Sequence, residues 1–125
     1  MIFKLGELFC GPGGIAWGAT HVNINNPNYG IVHQWANDYD ESTCHTYAHN
    51  ICPNAPETVY HEDVRKLDMT KLAPIDALAF GFPRNDCSVV GEQKGIDGDY
   101  GPLYSYGVKA LKLFKPQWFL AENVG

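Results

Sequence analysis

Residues 3–14 read FKLGELFCGPGG, a short apolar run that ends in a cluster of glycines. A run of this length closed by sharp-turning residues reads as a buried strand that delivers the chain into a ligand loop. Four further segments have the same form: GIVHQWAN (30–37), TVYHE (58–62), DALAFGF (76–82) and WFLAENV (118–124), each bounded by Gly, Pro, Asn or Asp.

Helical patterns lie between them. DESTCHTYAHN (40–50) follows the second strand with Asp40 as its expected N-cap, and GPLYSYGVKALKLFKP (101–116) sets Leu103, Tyr106, Ala110, Leu111 and Phe114 along one face. Pro102 fits the first turn of that helix and Pro116 ends it. Alternating strands and helices imply right-handed crossovers and a mostly parallel sheet covered on both faces, so the expected fold is a doubly wound, Rossmann-like α/β domain. Ligands of such sheets sit beyond the carboxyl ends of the strands.

The chain's 125 residues allow one domain, and 45% hydrophobic with 18% charged residues exclude a disordered chain. No segment approaches the roughly 20 apolar residues of a spanning helix, and no secretory signal opens the chain, so no membrane partner and a cytoplasmic location are expected. Cys10, Cys44, Cys52 and Cys87 show no framework spacing and read as reduced thiols. Cys44, His49 and Cys52 lack a fourth zinc ligand, so no metal is expected. A net charge of −5 is the wrong sign for a self-sufficient nucleic-acid binder.

The strand ends hold the chemistry. After the first strand, Gly11, Gly13 and Ala16 satisfy the loose dinucleotide-loop pattern, and Gly14 extends the turn. Asp38 ends the second strand, where a carboxylate can take two ribose hydroxyls. That pair of features fits NAD as well as S-adenosylmethionine. Tyr39 follows with a ring placed to lie against adenine; beyond the third strand Asp63 can accept from an adenine amine while the Val64 backbone reads the ring edge. Singly these are an aromatic core residue and a helix cap; at three successive strand ends they describe an adenosine pocket.

With GFPRNDCS (81–88), GEQKG (91–95) and ENV (122–124) added to FCGPGG, NDYD and EDV, the order of motifs resembles the amino-terminal half of DNA cytosine-5 methyltransferases over essentially the whole chain. The resemblance implies S-adenosylmethionine as cofactor, contacted by Phe9, Gly11, Gly13, Gly14, Asp38, Tyr39, Asp63, Val64, Gly81 and Leu103, with Gly101 near that last segment. It implies base chemistry from Pro83, Glu122 and Asn123, with Glu122 matching the glutamate that contacts N3 of a flipped-out cytosine. In such enzymes a cysteine after the Gly-Phe-Pro turn adds to C6, which makes C5 nucleophilic enough to accept a methyl group.

Two departures follow. Arg84 stands at the nucleophile's position, and a guanidinium with a pKa above about 12 cannot add to a pyrimidine. It can contact DNA or pair with Asp86 or Glu122. Cys87 is a poor substitute, because three residues of extended chain span about 10 Å. The sequence also ends at Gly125, before the later strands, the basic Gln-x-Arg-x-Arg-like segment and the target-recognition region. The expectation is thus a partial, inactive catalytic domain truncated after the fifth strand. DNA binding would then fall to a missing carboxyl-terminal half or a complementary chain, and self-association to the open fifth strand. The alternatives are a non-catalytic S-adenosylmethionine-binding or DNA-associated module and, from the glycine pattern alone, an NAD-dependent oxidoreductase.

Overall fold

The computed structural model describes residues 1–21, 28–82 and 103–123, with Phe82 and Asn123 as backbone only. Five strands, β1 (Ile2–Leu8), β2 (Gly30–Asp38), β3 (Val59–His61), β4 (Ala77–Phe82) and β5 (Trp118–Asn123), form one sheet in the order β3-β2-β1-β4-β5. Every neighbouring pair is parallel. All five carboxyl ends therefore open on one edge, and the chain switches direction across the sheet between β1 and β4.

Helices α1 (Gly14–Thr20) and α2 (Glu41–Ile51) cover one face, and α3 (Tyr104–Phe114) covers the other. The strands divide their side chains with a period of two. In β4, Ala77 and Ala79 pack with Leu5 and the α1 residues Ile15 and Ala19. Leu78 and Phe80 pack with Leu8, Trp35, Val64 and Ala110 on the opposite side. Burial on both faces is why β1 and β4 read as continuous apolar runs and not as alternating ones.

Local chemistry sets the helix ends. Asp40 caps α2, its Oδ2 accepting from the Thr43 amide at 2.9 Å and the Thr43 hydroxyl at 2.6 Å. α3 buries Ala110 and packs Leu103, Tyr106, Leu111 and Phe114 against the core, the face expected from sequence. It stops at Lys115, whose left-handed φ of 50° precedes Pro116. Pro102, expected in its first turn, lies outside the described residues. Helix α1 is an addition to the two helical patterns read from sequence: the turn after β1 closes at Gly13 and a two-turn helix follows it. β3 is shorter than its expected span, three residues in place of five.

Candidate functional site

The chain leaves β1 through Phe9, a non-glycine residue at φ 54°. That left-handed backbone is strained by roughly 1–3 kcal/mol and is kept only where its surroundings enforce it. Here the enforcement comes from β2. The Cys10 amide donates to the Asn37 carbonyl at 3.1 Å, and the Gly11 amide donates to Oδ2 of Asp38 at 3.0 Å. Gly13, at φ 108°, then turns the chain into α1 without a side-chain cap.

Asp38 holds its place through both ends of the residue. Oδ1 accepts from the Asp40 amide at 3.0 Å, and the backbone carbonyl accepts from the Glu62 amide at 3.0 Å. Each carboxylate oxygen thus spends one acceptor position on the protein and keeps another for a ligand hydroxyl. Asn37, buried beside it, donates from Nδ2 to the carbonyls of Tyr60 and Glu62, both at 2.9 Å, and so ties the end of β2 to the end of β3.

A cavity of about 390 Å³ lies over these strand ends. Phe9, Gly11, Asp38, Tyr39, Asp63, Val64, Gly81 and Leu103 line it, which brings together eight of the ten residues read as cofactor contacts. Gly13 and Gly14 instead border a separate hollow of about 430 Å³ with Pro12, Trp17 and Asn50. Two lining residues were missed, Asn37 and Arg65. Tyr39 presents its ring with 76% of its surface open, while Val64 is buried and forms part of the core beneath.

Asp63 is fully engaged by Arg65. Nε lies 2.9 Å from Oδ1 and 3.1 Å from Oδ2, Nη2 lies 2.5 Å from Oδ2, and the Arg65 amide donates to Oδ1 at 2.9 Å. These hydrogen bonds to the charged form hold the Asp63 carboxyl down at about 2.

Gly81 of β4 and Leu103 supply the far wall. Gly81 pairs with Glu122, and a Cβ on Gly81 would stand 2.9 Å from Oε2 of Glu122. Only a residue without a side chain lets that carboxylate fold back over the strand at the cavity's edge. Asn123 is in register with Phe82. Pro83, Arg84, Cys87 and Gly101 lie outside the described residues.

Glu7 is the other residue the sequence reading overlooked. It is 1% exposed, and among the described residues neither carboxylate oxygen has a hydrogen-bond partner. Burial, reinforced by the charge of Asp38, pushes its carboxyl up to about 8, so it is largely neutral at pH 7. Burial likewise pushes the Cys10 thiol up and the Cys44 thiol to about 11, which leaves both protonated and weakly nucleophilic. Among the described residues no cluster of three His, Cys, Asp or Glu side chains is placed to hold a metal, and no helix is long and apolar enough to cross a membrane.

The fold has a counterpart in a solved structure from Clostridium thermocellum described as an rRNA-methylase, with a TM-score of 0.50 at 15% identity over 90% of this chain and 57% of that one. Sequence relatives are closer. The chain is 54% identical to the Type II methyltransferase M.BbvI of Brevibacillus brevis, covering all of this chain and 36% of that protein. It is 35% identical to M.PspPI of Psychrobacter sp. (strain TA137) and 32% identical to M.Eco47II of Escherichia coli, with 98% of this chain and 27% of the relative covered in each case. The chain thus spans about a third of the length of the curated relatives it matches. The family model for C-5 cytosine-specific DNA methylases matches residues 3–125, and the chain belongs to that family.

Proposed function

We propose that this chain is the cofactor-binding part of a DNA cytosine-5 methyltransferase catalytic domain and that its cavity takes the adenosine end of S-adenosylmethionine. The observation that carries this reading is the convergence of Phe9, Asp38, Tyr39 and Asp63 on one cavity at the carboxyl ends of β1 to β3. Its lining suits adenosine: open acceptor positions on Asp38 for sugar hydroxyls, the exposed Tyr39 ring for a purine face, and apolar Phe9, Val64 and Leu103 as walls. S-Adenosylmethionine would supply the methyl group.

Glu122 lies beside Gly81 and on this reading would contact a ring nitrogen of an extruded base. The nucleophile is missing on this reading. Arg84, two residues past β4 in the sequence, replaces the thiol that would add to C6, so the chain itself binds cofactor without methylating DNA. DNA contacts would come from a complementary segment. The relatives carry most of their length outside the matched region, and β5 leaves Phe119 and Leu120 exposed on the described sheet's edge, an edge that suits another strand or a second copy. A cytoplasmic location accords with this reading.

Calorimetry with S-adenosylhomocysteine tests the cofactor site directly. Binding at micromolar ligand, lost on blocking the cavity, supports it; no heat at millimolar ligand, or equal binding of NAD, overturns it.

A further inference from the structure

The ion pair at the cavity's purine end conflicts with the role that makes Asp63 useful. A carboxylate has about four acceptor positions. Oδ1 accepts from the Arg65 amide, Oδ2 accepts from Nη2, and the single Nε hydrogen is shared between them, so Arg65 takes three of these positions and covers Oδ2 with its guanidinium. Arg65 is itself among the residues that line the cavity.

We propose that the Arg65 guanidinium competes with the adenine amine for Oδ2 of Asp63, and that residue 65 thereby sets the affinity of the site. This rests on the adenosine reading given above. The backbone supports the direction of the effect: the Arg65 amide fixes Oδ1 without help from the side chain, so deleting the guanidinium frees Oδ2 and leaves the carboxylate oriented. Arg65 also suits a movable competitor, because the two side chains are 36% and 28% exposed, where an ion pair is weak and readily exchanged.

The test is calorimetric titration of the wild-type chain, Arg65→Ala and Arg65→Gln with S-adenosylhomocysteine and with its analogue bearing hydrogen in place of the exocyclic amine. Both variants should bind S-adenosylhomocysteine about two- to fivefold more tightly than wild type, the range expected for release of an exposed ion pair. That gain should shrink as salt is raised, since screening weakens the competitor in the wild type alone. For the analogue the variants and wild type should bind alike, a distinction that a merely structural role for Arg65 would not produce. If wild type binds but the variants bind equally or more weakly, or gain as much for the analogue, Arg65 is not a competitor. If no protein binds either ligand, the adenosine reading itself is wrong and the competitor role falls with it. Thermal melting of both variants confirms that each is folded.

Discussion

The amide of Gly11 and the carboxylate of Asp38 meet at 3.0 Å, which makes the turn after β1 and the acid at the end of β2 one rigid unit. Asp38 therefore shapes the loop and, on the proposed adenosine reading, also receives the ligand. Asp38→Ala should weaken S-adenosylhomocysteine binding by about 1.5–3 kcal/mol, the range for hydrogen bonds to a charged group. Asp38→Asn keeps one acceptor oxygen and should fall between the two. Equal affinities across the three proteins in calorimetry would remove Asp38 from the site.

Glu7 makes stability depend on pH in the reverse of the usual carboxylate sense. Below its ordinary value of 4.5 the carboxyl is protonated in both folded and unfolded chains, and stability is complete. Between 4.5 and about 8 the unfolded chain releases this proton while the folded chain holds it, so stability falls as pH rises, by up to about 1.4 kcal/mol per pH unit. Above about 8 both states are ionised and the slope ends. Asp63 acts in another window: its contribution is present above the ordinary carboxylate range and fades as pH falls toward about 2. Denaturant midpoints between pH 5 and 8 should therefore decline in wild type and flatten in Glu7→Gln. Parallel curves for the two proteins would count against an unpaired buried Glu7.

Two glycines in helices should respond oppositely to alanine. A Cβ on Gly107 would lie 2.4 Å from the buried Phe80 ring, so Gly107→Ala forces α3 away from β4 and should cost about 1–3 kcal/mol. A Cβ on Gly18 meets nothing within 4 Å, and Gly18→Ala should raise stability by about 0.5–1 kcal/mol through helix propensity. Thermal or denaturant unfolding that shows the same sign for both contradicts the packing of α3.

Restoring a thiol should not by itself restore chemistry. Arg84→Cys in this chain alone is expected to transfer no methyl group to DNA, whereas the same variant given the carboxyl-terminal part of a relative such as M.BbvI should methylate cytosine. Glu122→Gln in that assembly should slow transfer by about 10²–10³-fold. The informative readout is a denaturation-resistant adduct on DNA containing 5-fluorocytosine. An adduct formed with Arg84 in place refutes the assigned loss of the nucleophile, and its disappearance in Cys87→Ser would identify Cys87 as the attacking group.

The central strands β1 and β4 were legible because burial on both faces leaves continuous apolar runs, and each strand's run closes in residues that turn. Helix α3 was legible from its spacing, since Tyr106, Ala110 and Phe114 recur on one side. Helix α1 was not, because GIAWGAT is seven residues long, contains two glycines and has no side-chain cap at Gly13. Glu7 was concealed for a different reason. A lone acid inside an apolar run gives no sign of its direction until the period-two register puts it on the face of Leu5, under α1 and α2. Arg65 and Asn37 line the cavity through contacts that sequence spacing does not reveal: a side chain folding back two residues onto Asp63, and an amide bridging two strand ends. Asp63 was expected at this strand end, where the cavity lies, but its pairing with Arg65 was not.

The central position of β1 has a consequence for how the molecule assembles. One edge of β1 pairs with β2, whose residues follow within a few dozen positions, while the other waits for β4, more than seventy residues away. Local pairings close loops at lower entropic cost and form sooner, so the β1-β2-β3 half should precede docking of the β4-β5 half. Phe9, Asp38 and Asp63 belong to the early half, and Gly81 and Leu103 to the late one. A ligand that touches both walls binds only the finished molecule and draws the equilibrium toward it by mass action. If the cavity takes the proposed adenosine ligand, its occupancy and closure of the two halves are thermodynamically linked, and the unliganded chain should open first along the seam between β1 and β4.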